Sequence, residues 1–455
     1  MARSLFCCLF GERRGRHNYA RTSTKDHLII NKHVNGSSLS FSAGAYSPPP
    51  IPRPVQGSSY SLSDFTLLKT VGRGAYGKVM LAQHSNNVYA LKVVPKAKVV
   101  THKQIDQILA ELRILKKVKF PFCIQLNCSF QTDDFFVYVF NFAAGGPIIY
   151  HLRQSGTFTE PQARFYIGEL ILAIEYLHGQ HIIFRDLKPE NVMLAHTGHL
   201  FLTDFGSAKV LEPGEHTNTF SGTPQYMSPE VLKGEDYNFS ADWWSCGVLL
   251  YELLAGKPPF HSGDRVELYR LVLRASLRFN SCFSPRARNL LVKLINKNPS
   301  ERLGSKDPVD IKDHPFFSQT EISADEERHY ASLEDERIKQ QEAVERASRI
   351  SMPALSRATK RLTIRFSKSY VFSGGANTWT WDELAAQLVD PPYRPLLRSI
   401  TDVQYFDTAM TCIPATLSDL VTTTRALHLQ EFDYTPVRHD IGETLTDLST
   451  SHPET

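Results

Sequence analysis

Five short elements follow one another along this chain, and their order restricts its possible folds more than any other feature. A glycine-rich stretch, GRGAYGKV, comes first, and a lysine within YALKV follows it. FRDLKPEN then places Asp186 and Asn191 five residues apart, and DFG adds Asp204 thirteen residues after Asn191. One glycine-rich loop alone is weak evidence for a site, whereas five such elements in order predict that they meet in one place.

The glycine-rich stretch has the composition of a loop that approaches phosphate groups. Gly72, Gly74 and Gly77 carry no Cβ and tolerate positive φ, so a hairpin backbone can come close to a ligand. An ordinary glycine-containing turn remains the alternative for this stretch taken by itself.

Lys92 and Glu111 form a candidate ion pair. Lys92 lies in a predicted strand, and Glu111 follows nineteen residues later in a predicted helix. Such a pair would hold the ammonium group against the α- and β-phosphates of a nucleotide. Taken singly, Lys92 would be a solvent-facing edge lysine and Glu111 a charge on a helix surface.

The FRDLKPEN and DFG segments carry the groups that phosphoryl transfer needs. Asp186 can accept the proton of a substrate hydroxyl, and Lys188 can neutralise a γ-phosphate. Asn191 and Asp204 offer oxygen ligands, the type that Mg²⁺ prefers. Each residue alone could be a turn former. Together they predict a site for ATP and Mg²⁺.

Composition narrows the class of protein. The chain has 455 residues, 42% of them hydrophobic, so it can bury a substantial core, and its net charge of +4 is too small to indicate nucleic-acid binding. Seven cysteines without a CxxC pair favour reduced thiols in the cytosol over a disulfide framework. No apolar run approaches the roughly 18 residues that span a bilayer. We therefore expect a cytoplasmic protein.

Hydrophobic patterning predicts an α+β fold with two lobes. FTLLKTVG, KVMLAQH and NVYALKVV have the composition of strands, and a helix is expected after Thr101 as its N-cap. Further helices are predicted at 160–178 and at 242–256, the latter ended by Gly256. A small strand-rich lobe followed by a larger helical lobe implies a cleft between them.

Three segments differ from this pattern. Residues 1–62 are rich in Ser, Gly and Pro and are predicted to be a disordered tail, and residues 438–455 a disordered C-terminus. Residues 318–377 form a charged insertion, partly helical or disordered. An exposed or fraying helix is the first interpretation of its charge-dense part, and a partner-binding helix is the alternative.

Residues 65–317 resemble a eukaryotic protein kinase, with SPE in place of the common APE. FRD, YALKV, SGTPQYMSPE and DWWSCGVLLYELLAGKPPF resemble the AGC group in particular, and the ribosomal protein kinase branch is nearest. The resemblance implies transfer of the γ-phosphoryl group of MgATP to Ser or Thr of protein substrates. It implies catalytic roles for Lys92, Glu111, Asp186 and Lys188; nucleotide binding by Val71, Gly72, Gly74, Gly77, Val79, Ala90 and Lys92; and metal binding by Asn191 and Asp204. It also implies a brace between Glu230 and Arg302, and a catalytic loop held by Asp242.

The resemblance also identifies Thr219 as an activation-loop phosphosite for an upstream kinase. A phosphate adds about −1.5 to −2 charges, which could dock on Arg185 and Lys209. An unmodified loop threonine is the alternative. Gln107 replaces a histidine that contacts this phosphate in some relatives, so weak coupling between Thr219 and the Glu111 helix is expected.

Residues 378–437 resemble the AGC tail that wraps both lobes and brings Phe406 near the nucleotide. Its hydrophobic motif, which would dock beside the Glu111 helix, comprises Leu429, Phe432, Asp433 and Tyr434. Leu429 replaces the usual first Phe, and Asp433 stands where a phosphorylated Ser or Thr is usual. We expect docking that needs no phosphorylation; a disordered aromatic tail is the alternative.

Substrate recognition departs from that of cyclic-AMP-dependent kinases at one position. Pro147 replaces the carboxylate that binds the ribose and an arginine three residues before the acceptor. Glu190 and Glu252 match the carboxylates that recognise an arginine two residues before it. The prediction is a preference for basic residues, stronger at −2 than at −3.

Two other functions stay open at this point. A pseudokinase scaffold would bind partners without turnover, an alternative that Pro147 keeps open. Cys7 and Cys8 precede basic residues and permit double S-acylation, which would give peripheral membrane attachment. Unmodified thiols are the alternative, and a membrane-tethered adaptor using the prolines at 48–54 could coexist with catalysis.

Overall fold

The structure is a computed structural model, and it describes residues 60–74, 77–318, 379–418, 420 and 427–435. Most of both predicted tails, all but the first residue of the predicted insertion, and Cys7 and Cys8 lie outside the described residues. In the described ranges, no helix is both long enough and apolar enough to cross a membrane. The five cysteines in these ranges are free thiols.

The small lobe is a five-stranded antiparallel sheet in the order β1-β2-β3-β5-β4. Its strands are β1 (Thr66–Arg73), β2 (Lys78–His84), β3 (Asn87–Pro95), β4 (Leu126–Gln131) and β5 (Phe135–Asn141). Side chains alternate between faces along a strand. Leu91 and Val93 pack in a cluster on one face, and Ala90 and Val94 pack in the main core on the other. Lys92 belongs to the second face, which lies towards the rest of the protein.

A single long helix, α1 (His102–Lys117), packs against this inner face. Thr101 caps it as predicted, because its side chain accepts a hydrogen bond from Gln104 N. Ile108, Leu112 and Leu115 recur at helical spacing and are buried. This stripe orients α1 so that Glu111, on the same side of the helix, faces the protein interior.

The large lobe is mainly helical. Its helices are α2 (Ile148–Ser155), α3 (Glu160–Gly179), α4 (Pro229–Lys233), α5 (Ser240–Ala255), α6 (Arg265–Arg274), α7 (Pro285–Leu294) and α8 (Val309–Lys312). Its short strands are β6 (Gly146–Pro147), β7 (Ile182–Ile183), β8 (Val192–Leu194), β9 (Leu200–Leu202) and β10 (Lys209–Val210). Helix α5 is buried along nearly its whole length and ends before Gly256, whose φ of 73° is left-handed. The predicted α+β, two-lobed fold is confirmed.

The tail contributes α9 (Trp381–Ala385) and α10 (Thr408–Thr411) and contacts both lobes. On α3, a Cβ added to Gly168 would lie 2.9 Å from Leu384 Cδ2, so glycine lets the tail pack closely there. At the other end, Leu420 is buried in the small-lobe cluster, together with Tyr60 from the predicted N-terminal tail.

Candidate active site

Lys92 meets carboxylates from two other elements. Its Nζ lies 2.6 Å from Glu111 Oε1 of α1 and 3.3 Å from Asp204 Oδ1, which precedes a short 3-10 helix at Phe205–Ser207. The Glu111 side chain is 8% exposed, whereas that of Asp204 is 54% exposed. One carboxylate is therefore enclosed by protein, and the other is open to a ligand in the cleft.

Attraction between opposite charges favours the charged forms of Lys92 and Asp204, whereas burial raises the pKa of Glu111. Burial alone would lower the pKa of Lys92, but the negative charges of Glu111 and Asp204 outweigh burial and raise its pKa above the ordinary value. The charge of Lys92 in turn lowers the pKa of Asp204. An ammonium and an open carboxylate therefore persist side by side at neutral pH.

Asp242 of α5 holds the catalytic loop through two backbone amides. Its Oδ2 accepts a hydrogen bond from Phe184 N and its Oδ1 accepts one from Arg185 N, each at 2.8 Å. Arg185 has a left-handed φ of 71°. Such a conformation costs about 1–3 kcal/mol in a non-glycine residue, so the loop depends on these bonds.

The carboxylate of Asp186 is fixed from several sides. Its Oδ2 lies 2.7 Å from Lys188 Nζ, and its Oδ1 accepts a hydrogen bond from Thr223 Oγ1 at 2.8 Å. Asn191 Nδ2 donates to the Asp186 main-chain oxygen at 2.9 Å. Thr223 is not among the residues predicted from the sequence, because nothing in one sequence separates it from the neighbouring threonines.

The donor chemistry of Asn191 and Asp204 fits Mg²⁺. Asn191 Nδ2 is used in bonds to Asp186, so its Oδ1 is the amide atom left to face a cation. Mg²⁺ takes oxygen ligands and keeps several waters, so one carboxylate and one amide oxygen suit it. In the described ranges, no group of three or more His, Cys, Asp or Glu side chains could hold a metal. Phosphate oxygens and water would have to complete the coordination.

The glycine-rich turn joins β1 to β2, and residues 75–76 at its tip lie outside the described residues. Gly74 N donates a hydrogen bond to Gly77 O at 2.9 Å. A Cβ on Gly77 would lie 1.9 Å from Val93 O, whereas one on Gly74 would meet nothing within 4 Å. Gly77 is therefore required for packing against β3 as well as for its predicted approach to phosphates, and Gly74 faces open space.

The remaining predicted nucleotide residues lie on the three strands around this turn. Val79 of β2 is paired with Gly72 of β1 and with Lys92 of β3. Val71 packs in a small cluster with Phe406 of the tail, and Ala90 packs against the main core.

The segment that joins the lobes is covered by the tail. The ring of Phe406 is stacked on that of Phe142, with centroids 5.5 Å apart. Met193 packs in the same cluster and is paired with Pro147 across β6 and β8. Pro147 thus lies beside the cleft, where it offers no charge and no backbone donor.

Thr219 is held by uncharged contacts. Its main-chain oxygen accepts a hydrogen bond from Tyr237 OH at 2.7 Å, and its Oγ1 accepts one from Thr217 Oγ1 at 3.3 Å. Lys209, which was predicted to receive a phosphate from Thr219, is paired with Glu215 at 2.9 Å. Arg185, the other predicted receiver, donates from Nε to Ser207 O at 2.6 Å.

The two carboxylates predicted to read a substrate arginine lie near each other. Glu252 is buried and accepts a hydrogen bond from Tyr226 OH, and Glu190 is exposed. Burial raises the pKa of Glu252, and the charge of Glu190 adds to the rise. The two carboxylates repel each other and favour nearby positive charge, of which Arg153 supplies some to Glu252.

The hydrophobic motif is seated on the small lobe beside α1. Phe432 is fully buried, with its ring centroid 4.7 Å from that of Phe136 and 5.0 Å from that of Tyr138. Tyr434 forms an antiparallel bridge with Ser129 of β4. Phe432 is the central anchor, since its ring contacts the sheet directly.

Asp433 and Leu429 both accept hydrogen bonds from Gln131, the last residue of β4. Asp433 Oδ1 accepts a hydrogen bond from Gln131 N at 3.1 Å. Leu429 is partly buried against the core, and its main-chain oxygen accepts from Gln131 Nε2 at 2.9 Å. Lys116 Nζ lies 5.0 Å from the ring centroid of Tyr434 and adds a cation–π contact from α1.

Comparison with known proteins agrees with this geometry. Residues 65–317 match the family described as Protein kinase domain. The chain is 44% identical over 269 residues to a RAC family serine/threonine-protein kinase homolog of Dictyostelium discoideum, covering 58% of this chain and 60% of that protein. It is 43% identical over 268 residues to serine/threonine-protein kinase gad8 of Schizosaccharomyces pombe, covering 58% and 47%. It is 44% identical over 270 residues to serine/threonine-protein kinase Sgk1 of Fundulus heteroclitus, covering 58% and 63%.

The aligned part of the chain spans less than two thirds of the length of these relatives. Their names are those of RAC, gad8 and Sgk1 kinases, so the ribosomal protein kinase branch stays a prediction. The family match covers more than half of the chain and contains Asp186 as well as the cluster of Lys92, Glu111 and Asp204. The chain therefore belongs to the protein kinase domain family, and its relatives are serine/threonine kinases of the AGC group.

Proposed function

We propose that this protein transfers the γ-phosphoryl group of MgATP to Ser or Thr of protein substrates. The observation that carries the proposal is the position of Lys92, 2.6 Å from Glu111 and 3.3 Å from the exposed carboxylate of Asp204. A lysine held only as a structural brace would have enclosed partners. Here one partner is enclosed and the other is open to the cleft.

The residues of the cleft divide the work of the reaction. Asp186, fixed by Lys188 and Thr223, is placed to accept the proton of an incoming hydroxyl. Lys92 and Lys188 supply positive charge where negative charge spreads over the transferred group. Mg²⁺, when bound by Asp204 and Asn191, neutralises phosphate charge and orients the nucleotide. The protein thus contributes position and electrostatics more than covalent chemistry.

Serine and threonine are the acceptors that we infer. The relatives are named as serine/threonine kinases, and Lys188 lies in a DLKPEN segment typical of that class. Thr223 Oγ1 accepts a hydrogen bond from Lys188 Nζ at 3.0 Å and donates one to Asp186 Oδ1 at 2.8 Å.

We propose that the protein prefers substrates with basic residues before the acceptor. The preference for arginine is stronger two residues before the acceptor (−2) than three residues before it (−3). Glu190 and Glu252 supply negative charge, and Pro147 supplies none. A positional peptide array measures this preference directly. A dominant arginine at −3 would contradict it.

An ATP-dependent phosphorylation assay with Asp204→Ala as its control tests the main proposal. Incorporation into a basic Ser/Thr peptide by the wild type, lost in the variant, is the expected result. Equal, background incorporation by both would favour the alternative, a pseudokinase scaffold that binds partners without turnover.

Four further features belong to the proposal. We propose that an upstream kinase phosphorylates Thr219, that the protein is cytoplasmic and nearest the ribosomal protein kinase branch, and that acylation of Cys7 and Cys8 gives it peripheral membrane attachment. Hydroxylamine-sensitive acyl exchange on the wild type and a Cys7→Ser/Cys8→Ser variant tests the attachment. If the wild type shows no more exchange than the variant, Cys7 and Cys8 are unmodified thiols.

A further inference from the structure

Gln107 joins the two elements that supply the partners of Lys92. It lies on α1, one turn before Glu111, and its Nε2 donates a hydrogen bond to Gly206 O at 2.9 Å. Gly206 is two residues after Asp204 in the same short turn. A single uncharged bond therefore ties the helix that carries one carboxylate to the loop that carries the other.

The bonded glycine lies close to both carboxylates. A Cβ built on Gly206 would be 3.4 Å from Asp204 Oδ1 and 3.9 Å from Glu111 Oε2. A shift of this backbone would therefore be felt directly by the two groups that hold Lys92. The contact is well placed to control their separation.

The loop needs such support because its backbone is strained. Asp204 has φ 62° and ψ 77°, a left-handed conformation that a side chain disfavours. Strained residues persist where surrounding contacts fix them. Arg185 Nε fixes the following Ser207 O from the catalytic loop at 2.6 Å, and Gln107 fixes Gly206 O from α1.

We infer that Gln107 is a positioning residue for phosphoryl transfer, which holds the Asp204 loop against α1 through its side-chain amide. The inference rests on the proposed kinase function. Since the bond is uncharged, it acts without a phosphate on Thr219. Its loss should weaken the alignment of Asp204 and leave the peptide-binding carboxylates, Glu190 and Glu252, untouched.

The test compares Gln107→Met, which keeps the length of the side chain and removes the donor, with Gln107→Lys, which restores a donor. Lys103→Met is the matched control, since Lys103 is exposed one turn earlier on α1. We expect Gln107→Met to lower kcat about 3- to 10-fold and to raise the half-saturating Mg²⁺ concentration, with the peptide KM within about twofold, as expected for one lost hydrogen bond. Gln107→Lys should restore kcat, and Lys103→Met should behave as wild type.

A second measurement separates this inference from the proposed function. Hydrogen exchange of the amides at 204–208 reports the loop whether or not the chain has activity. Faster exchange in Gln107→Met than in Lys103→Met supports positioning even in a chain without turnover. Unchanged exchange, or a kcat for Gln107→Met equal to that of an active wild type, overturns the inference. Wild-type incorporation no higher than that of Asp204→Ala overturns the proposed function and with it the role in phosphoryl transfer, whereas the exchange result still decides whether Gln107 holds the Asp204 loop.

Discussion

Two ion pairs in this protein have similar chemistry and opposite surroundings. Arg302 and Glu230 in the large lobe are 0% and 2% exposed, and their paired atoms lie 2.7 Å and 3.0 Å apart. Lys92 and Asp204 in the cleft are 24% and 54% exposed and lie 3.3 Å apart. The first pair is closed to any ligand, whereas the second leaves oxygen and ammonium groups accessible.

The difference extends to the remaining hydrogen bonds of each cation. Arg302 also donates to Ser240 O at 2.9 Å and to Asn296 O at 3.0 Å, and its guanidinium lies 5.3 Å from the Trp244 ring centroid. A buried charge needs such complete pairing, since desolvation is costly. A pair with all its hydrogen bonds made therefore braces the fold, whereas a pair with exposed polar atoms has capacity left for a substrate.

Removing the open carboxylate should have the largest effect on activity. Asp204→Ala is expected to lower kcat by at least about 100-fold, as for loss of a group that stabilises transition-state charge. Its melting temperature should stay near that of the wild type, because the side chain is half exposed. Steady-state kinetics and calorimetry measure the two effects. A large fall in melting temperature with kcat retained would contradict the expectation that Asp204 acts in catalysis and not in stability.

Breaking the closed pair should act on stability instead. Arg302→Met leaves Glu230 buried and unpaired, so we expect a loss of about 3–5 kcal/mol in the free energy of unfolding. Denaturant titration measures the loss, and activity per folded molecule should be unchanged. The double variant Arg302→Met/Glu230→Gln is the control, and it should recover part of the loss. A fully stable Arg302→Met would show that this pair is not a brace.

His314, a second buried polar group of the large lobe, should make stability depend on pH. It is buried, donates from Nε2 to Asn289 Oδ1 and accepts from Phe316 N, so it is held neutral. Burial lowers its pKa from 6.5 to about 3. The folded state binds fewer protons than the unfolded state between these values, so stability falls as pH drops below 6.5. From pH 6.5 to 5 the loss is about 2 kcal/mol.

The variant His314→Asn isolates this contribution, since Asn can hydrogen-bond and does not titrate. Chemical denaturation at pH 5, 6 and 7 should give a shallower pH dependence for the variant than for the wild type. Parallel slopes would mean that His314 does not carry the effect.

The smallest expected effect is at the hydrophobic motif. Asp433→Ala removes the acceptor of Gln131 N, so we expect a loss of about 0.5–1.5 kcal/mol in stability, with a modest fall in activity. Thermal denaturation and the kinase assay measure both, and Asp433→Asn, which keeps an acceptor, is the control. An indifferent Asp433→Ala would refute a role for this carboxylate in docking.

The fold could be predicted from the sequence because the signals for its helices and strands are local. Thr101 as an N-cap, the apolar spacing of α1 and Gly256 at the end of α5 each depend on neighbours within a few residues. The ordered motifs then placed Lys92 and Asp204 in one site, and the structure brings them within 3.3 Å. The proximity of residues far apart in sequence could be predicted only because these motifs, in this order, are specific to one kind of site.

Other contacts could not be predicted from spacing. Val93 O leaves no space for a Cβ on residue 77, so only glycine fits there. Thr223 donates a hydrogen bond to Asp186, 37 residues away in sequence. Lys209, for which a phosphate on Thr219 stays the predicted partner, is paired in the unmodified chain with Glu215 six residues along the loop. Such contacts follow from how the backbone closes in three dimensions, which no periodicity records.

The stacking of Phe406 on Phe142 has a practical consequence for inhibitor design. A flat heteroaromatic compound entering beside Phe142 would touch a ring contributed from far along the polypeptide. Compounds shaped against that ring would discriminate this protein from kinases without a comparable C-terminal extension. Shortened versions of the chain that end before residue 406 would lose this contact and would mislead a screen.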